Sequence, residues 1–219
     1  MDKLRMRFEK TGRAVWISHL DLMATMQRAF SRAGYMLRYS EGFNPHPLIS
    51  ILLPLSVGTG SICELMDFRL REDCDLSELP ARLTAKLPEG ITVTEAYEAE
   101  RKSAQLKWLC VEGQFLYDER DPVRMCDEVR RFYEAGSIVI EKKTKRGIGE
   151  TDIRPAIREI AFNPAEKAVK VAGVISAQEP TLNPDLLSRA LQQLQPDLAP
   201  DFARFTRVET YDSQMQIFR

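Results

Sequence analysis

Segments with a two-residue hydrophobic period alternate along this chain with segments of helical period, and that alternation limits the folds open to it. Near the start, Leu4, Met6 and Phe8 alternate with charged residues, which predicts a strand with one apolar and one charged face. A helical pattern follows, with Ser18 as its N-cap and Asp21 three positions later, as in a capping box. The chain therefore opens with a strand followed by a helix.

The order of predicted elements is similar in both halves of the chain. The first half continues with two strands, a second helix and a last strand over residues 48–53, 62–70, 76–87 and 91–94. The second half has strand and helix patterns over residues 106–115, 122–133, 137–141, 157–162, 168–174, 186–194 and 205–211. We therefore predict an α+β fold with two ferredoxin-like (βαββαβ) units in tandem. The predicted units span residues 1–100 and 104–219.

Length and composition are those of a globular protein. The chain has 219 residues, of which 44% are hydrophobic and 29% are charged. No apolar run approaches the ~20 residues that a membrane helix needs, and the first residues are too charged for a signal peptide. We expect a soluble, cytoplasmic protein that makes no membrane contact.

Cysteine and histidine spacing argues against a metal or cluster enzyme. The four cysteines include no C-x-x-C pair, which a zinc or iron-sulfur site of the usual kind needs. The same spacing disfavours a disulfide scaffold. Two histidines exclude a His-rich cage, although a mixed site of histidine and carboxylate stays open. We therefore predict neither a bound metal nor a cofactor.

Positive charge is unevenly spread although the formal net charge is only −1. Residues 1–48 hold eight basic and four acidic residues, whereas residues 61–101 hold five basic and ten acidic ones. Arg5 and Arg7 project from one face of the first strand and, if that face is open, form a row for phosphate contacts. A basic surface of this kind suits RNA.

A second basic segment lies in the other half, beside two glycines. Its cations are Lys142, Lys143, Lys145 and Arg146. Charge and mobility together suit nucleic-acid binding, although lysine-rich hairpin tips also serve solubility. Asp152 and Arg154 follow closely. They either present a carboxylate and a guanidinium at a strand entrance, where Arg154 is predicted to contact RNA, or form an internal ion pair.

Three residues are candidate catalytic groups. His19 begins the first helix, where it serves as an acid/base group, a metal ligand or a phosphate contact, or only as a capping or packing residue. Asp21 assists it or simply complements the helix dipole. His46 lies between Pro45 and Pro47, which restrict its backbone, so it is either presented rigidly or carried passively by a turn. The sequence does not place His19 beside His46.

The loop before His46 carries two further candidates for recognition. Phe43 follows Gly42 and either stacks on a base or anchors the loop in the core. Asn44 belongs to the same run and is predicted to contact RNA with it. The chain has no P-loop, no G-x-G-x-x-G and no Ser/His/Asp spacing, so no known catalytic class is indicated.

Several long strings resemble one bacterial family. They are Arg7–Lys10, Ile17–Met23, Gln27–Gly34, Tyr39–Pro47 and Asp152–Pro155. They are similar to radical-SAM-associated proteins of unknown function, which occur as small proteins or as C-terminal extensions. The resemblance implies a radical SAM protein as partner and, by gene context, an RNA or ribosome-related substrate. Ala24 and Leu48 depart from the pattern, where arginine and lysine are expected.

These observations support three hypotheses. The first is a noncatalytic, RNA-directed accessory protein that presents substrate to a radical SAM partner and has no radical chemistry of its own. The second is an RNA-processing or RNA-modifying enzyme that uses His19 or His46, assisted by Asp21 or Asp152. The third is a protein-interaction adaptor in which RNA plays no part.

Overall fold

The computed structural model describes residues 3–144 and 147–219. The chain divides into two compact units. One comprises the residues through Gln105 together with Phe218–Arg219, and the other comprises Leu106–Ile217. Both combine helices with antiparallel strands, so the predicted α+β class is confirmed.

The described residues of the first unit form four strands and two α-helices. They are β1 (Leu4–Lys10), α1 (His19–Arg32), β2 (Ile49–Ile51), β3 (Gly60–Phe68), α2 (Leu79–Thr84) and β4 (Ile91–Glu98). Strand β1 lies between β4 and β3, and β2 pairs with the other edge of β3, all antiparallel. Alternate residues of β1 (Leu4, Met6 and Phe8) are buried in the core with one face of α1, because both patterns present their apolar side chains to the same layer.

In the second unit, outside residues 145–146, the chain forms six strands and two α-helices. They are β5 (Leu106–Leu116), α3 (Pro122–Tyr133), β6 (Val139–Thr144), β7 (Gly147–Asp152), β8 (Ile157–Ala165), β9 (Ala168–Ser176), α4 (Asp185–Leu194) and β10 (Phe202–Asp212). Four of them form an antiparallel sheet in the order β10-β5-β9-β8. Phe115 is fully buried in this unit, with its ring centroid 6.0 Å from that of Phe205.

Two local predictions differ from the structure. The predicted helix over 76–87 shrinks to α2, which ends at Thr84. It begins later than predicted because Asp75 accepts hydrogen bonds from the N–H and hydroxyl of Ser77 and so forms a turn before the helix. The predicted basic loop after residue 141 is largely a hairpin, in which β7 pairs with β6. Strand β7 has one large apolar residue, the exposed Ile148, and so lacks the alternation of a half-buried strand.

No helix in the described part of the chain is both long and apolar enough to cross a membrane. The four cysteines, all within this part, are free thiols. Burial raises the pKa of Cys74, Cys110 and Cys126, which disfavours the reactive thiolate at these positions.

Candidate nucleic-acid interface

Residues 36–48 form an irregular hairpin beside the end of β3. The Arg38 N–H donates to the Arg69 carbonyl at 2.9 Å, and the Leu48 N–H donates to the Arg38 carbonyl at 2.8 Å. Farther out, the Ser40 N–H donates to the His46 carbonyl at 2.9 Å. These bonds fix both arms of the hairpin, so its tip, residues 41–45, projects from the first unit.

The tip of this hairpin presents Phe43 to solvent. The side chain is fully exposed, and Asn44 and Pro45 beside it are exposed as well. Gly42 has a φ of +122°, a left-handed conformation that side chains disfavour, and this bend turns the tip. Of the two readings that the sequence left open for Phe43, anchoring in the core is therefore wrong.

His46 is held by the opposite arm of the hairpin. Its Nδ1 lies 2.9 Å from the Ser40 hydroxyl, and its backbone N–H donates to the same hydroxyl at 3.1 Å. The Asn44 carbonyl lies 3.4 Å from Nδ1. Because these contacts engage Nδ1, Nε2 is the ring nitrogen left for a ligand.

Three exposed arginines form what we call the arginine cluster: Arg38, Arg69 and Arg71. Leu37 bridges Leu70 in antiparallel register, so Arg38 faces Arg69 across the two segments, and Arg71 is the next outward residue after Arg69. Within the described residues, none of the three guanidinium groups contacts a carboxylate. Like charges directly opposite each other are destabilising unless an anion lies between them.

None of these three arginines was predicted as an RNA contact, and the uneven charge distribution explains why for Arg69 and Arg71. Both belong to a segment in which ten acidic residues outnumber five basic ones, so the charge sum hid them. The useful signal is local: Arg69-Leu70-Arg71 alternates basic and apolar residues in the way of a strand with a charged outer face.

Arg5 is not placed for the phosphate contact that the sequence predicts. Its side chain is 0% exposed, and its Nε donates to Asp67 Oδ1 at 2.7 Å. Its Nη2 donates to the Arg101 carbonyl at 3.0 Å, and its guanidinium lies 5.0 Å from the Phe218 ring centroid. On the neighbouring strand, burial raises the pKa of Tyr97 to about 12. This face of β1 is covered, not open.

The other basic residues that were predicted to contact RNA are half-buried or have side chains outside the described residues. Arg7 is half-buried, and its Nε donates to the Ile62 carbonyl at 3.4 Å. Arg154 is also half-buried and donates to the Ile157 carbonyl at 2.9 Å, so it supports its own turn. Lys142 is half-buried in β6. The side chain of Lys143 and all of Lys145 and Arg146 lie outside the described residues.

The predicted catalytic histidines lie at opposite ends of β1. His19 follows the 3-10 helix Gly12–Trp16 that comes after this strand, whereas His46 lines a cavity with Lys3, which precedes it. The strand alone is about 20 Å long. His19 is half-buried, and its Nδ1 has no hydrogen-bond partner among the described residues. The structure therefore does not bring the two histidines into one site.

Both predicted catalytic carboxylates have structural partners. Asp21 belongs to the cap of α1, where its N–H donates to Ser18 Oγ at 3.2 Å and its Oδ2 accepts from the same hydroxyl at 2.7 Å. Asp152 accepts from the Ile138 and Arg154 backbone N–H groups, and these bonds lower its pKa. A lowered pKa is the opposite of what a general acid at neutral pH needs. Within residues 3–144 and 147–219, no group of three His, Cys, Asp or Glu side chains is placed to hold a metal ion.

Comparison with known proteins gives one family and a likeness of fold. A family described as an uncharacterized protein conserved in bacteria, DUF2344, matches residues 3–184. No curated protein matches the chain. The crystal structure of a Cbf5-Nop10-Gar1 complex aligns over 94% of this chain and 48% of that chain, with a TM-score of 0.51 and 10% identity. This chain therefore spans about half the length of that one, and the likeness concerns the fold alone.

A second solved structure is less similar. An unknown protein from Galdieria sulphuraria aligns over 94% of this chain and 98% of that chain, at 11% identity and a TM-score of 0.27. That score is too low to support an argument. The family match, by contrast, covers most of the chain, and the chain therefore belongs to DUF2344, a family of uncharacterized proteins conserved in bacteria.

Proposed function

We propose that this chain is a noncatalytic, RNA-directed module that holds single-stranded RNA at the arginine cluster and presents it to a radical SAM partner. One observation carries the RNA part of the proposal: Arg38 and Arg69 face each other, exposed, without a carboxylate between them in the described residues. A phosphate group relieves that repulsion, and a guanidinium fork matches the geometry of its oxygens.

The hairpin tip supports single-stranded RNA over other polyanions. Phe43 is fully exposed a few residues from Arg38, and a free aromatic ring stacks on a base that is not already stacked in a duplex. Phosphates along the arginine cluster and a base on Phe43 are therefore compatible with one strand. The predicted contacts at Lys142, Lys143, Lys145 and Arg146 remain part of the proposal as a second basic segment.

The radical SAM partner rests on the family resemblance. The chain has no C-x-x-C pair of its own, so the proposal assigns the cluster and its chemistry to the partner. We also propose that each unit is ferredoxin-like, since the strand orders β4-β1-β3-β2 and β10-β5-β9-β8 are equivalent when the β6–β7 hairpin is set aside.

Neutralising the arginine cluster tests the RNA part of the proposal. In the triple variant Arg38→Gln, Arg69→Gln, Arg71→Gln, we expect the affinity for a single-stranded oligoribonucleotide to fall about 100-fold. This estimate assumes that each lost arginine contact contributes about 1 kcal/mol to the binding free energy. The slope of log affinity against log salt becomes less negative by roughly 2, since each lost phosphate contact removes about 0.7. Fluorescence anisotropy of a labelled ten-nucleotide RNA over a series of salt concentrations measures both.

A control of equal charge separates contact from net charge. Arg13, Arg28 and Arg131 are exposed arginines outside the cluster, so the triple variant that changes these to Gln alters net charge equally. It should keep the wild-type salt slope. If both triple variants bind RNA with the same affinity, the arginine cluster is not the RNA site. If the wild-type protein binds no RNA even at low salt, the proposal of an RNA-directed module is wrong and the protein-interaction adaptor replaces it.

Removing the ring of Phe43 tests base stacking separately from charge. In Phe43→Ala, we expect the binding free energy for the same RNA to weaken by about 1–3 kcal/mol, which is the contribution of one stacked base. The slope of log affinity against log salt should not change. Phe202→Ala is the matched control, because Phe202 is another exposed phenylalanine and lies in the other unit. Equal affinities in the two variants would remove Phe43 from the interface.

A further inference from the structure

A cavity of about 400 Å³ opens beside β2, next to the arginine cluster. Its volume falls in the range of small-molecule sites, about 300–1,000 Å³. It is lined by Lys3, the run His46–Ser50 and the run Asp67–Arg69. The base of the irregular hairpin over residues 36–48 and the end of β3 therefore line it together.

The lining of this cavity combines an apolar wall with positive charge. Pro47, Leu48 and Ile49 provide the apolar part, and Lys3 and Arg69 provide the charge. Asp67 is the acidic residue of the lining, but Lys3 Nζ lies 2.9 Å from its Oδ2 and the buried Arg5 contacts its Oδ1. Since two cations hold this one carboxylate, the cavity favours an anionic ligand.

His46 adds an oriented polar group. His46 lines the cavity, and because Ser40 engages its Nδ1, Nε2 is the ring nitrogen that it can offer to a ligand there. An apolar wall, a polar ring nitrogen and two cations in one lining match a flat base carrying a phosphate. Arg69 lines the cavity and also belongs to the arginine cluster, so a strand that follows the cluster reaches the cavity without a break.

We propose that this cavity takes one nucleotide of the bound strand, with its base against Pro47 and Leu48 and its phosphate at Lys3 and Arg69. The inference rests on the proposed RNA binding and adds to it a pocket for a single nucleotide, distinct from the stacking surface of Phe43. The pocket gives the module a way to hold one nucleotide in a fixed place on the strand.

Mononucleotides test the cavity without any variant. Titration of the full chain with AMP, UMP, CMP and GMP should shift the backbone amide resonances of Leu48, Ile49 and Arg69. Inorganic phosphate alone and the unphosphorylated nucleosides should shift them at least about tenfold more weakly, since each offers only half of the recognised chemistry. If these amides do not respond to any mononucleotide at millimolar concentration, the inference is wrong.

A cavity-filling variant links the pocket to RNA. Ser50 lines the cavity from an exposed position of β2, so Ser50→Trp should block it without disturbing the core and weaken mononucleotide binding about tenfold or more by steric exclusion. RNA affinity should also fall, while the salt slope stays within about one unit because the cluster is intact. Thr92→Trp, at an exposed position of β4, is the control.

The outcomes separate the two proposals. RNA binding with a steep salt slope, but no mononucleotide binding, overturns the pocket and leaves the proposed function standing. Mononucleotide binding without RNA binding overturns both, because the cavity then serves free nucleotides. Loss of mononucleotide binding in Ser50→Trp with RNA affinity unchanged overturns the link between pocket and strand.

Discussion

Asp67→Ala should reduce the stability of the first unit by about 3–5 kcal/mol, the usual penalty for leaving one partner of a buried ion pair uncompensated. Arg5 is fully buried, and Asp67 is the carboxylate that holds its Nε and Nη2. Arg5 Nη1 already lacks a partner among the described residues, so the guanidinium has little left to compensate the loss. Hydrogen exchange of the β1 amides measures the unfolding free energy of this unit.

Two further variants make the ion-pair result specific. Glu89→Ala removes a carboxylate from an exposed position of the same unit and should change stability by at most about 0.5 kcal/mol. The double variant Arg5→Leu, Asp67→Leu should recover most of the loss, because an apolar pair needs no compensation. If Asp67→Ala lowers the unfolding free energy no more than Glu89→Ala does, solvent reaches Arg5. Arg5 is then again a candidate for a phosphate contact.

Local sequence signals were enough to predict the well-capped helices. Helix α1 begins after Ser18, whose side chain accepts from the Asp21 N–H, and α3 occupies the predicted residues 122–133. Capping and helical periodicity act over a few residues, so the sequence contains them in full. Strand β7 was not predicted because its pairing with β6, and not burial, defines it.

The candidate site was predictable only in part, because its decisive features are not local. The glycine and prolines around Phe43 and His46 predict a loop there, but not its hairpin form. Whether Arg5 is open or covered depends on Phe218, at the far end of the sequence. The pairing of Arg38 with Arg69 depends on register between segments that are distant in the chain, which composition cannot reveal.

Gly90→Ala should cost about 2–5 kcal/mol, because two penalties coincide at this glycine. Its φ is +87°, which costs an L-residue about 1–2 kcal/mol. A Cβ there would lie 2.4 Å from the Thr11 carbonyl oxygen and 3.0 Å from Ala14 Cβ, and such overpacking costs about 1–3 kcal/mol more. The Thr11 N–H donates to the Gly90 carbonyl at 2.8 Å, so the backbone has little room to retreat.

Gly12→Ala separates these two penalties. Gly12 has a φ of +54°, and no atom lies within 4 Å of a Cβ built on it, so this variant should show the conformational penalty alone, about 1–2 kcal/mol. Exchange of the β1 amides again measures both variants. Equal losses of stability in Gly90→Ala and Gly12→Ala would mean that the turn at Thr11 shifts to accommodate the added methyl group. A larger loss in Gly90→Ala would mean that the contact between this turn and the start of β4 is rigid, and that it fixes the 3-10 helix that leads into α1 and its His19.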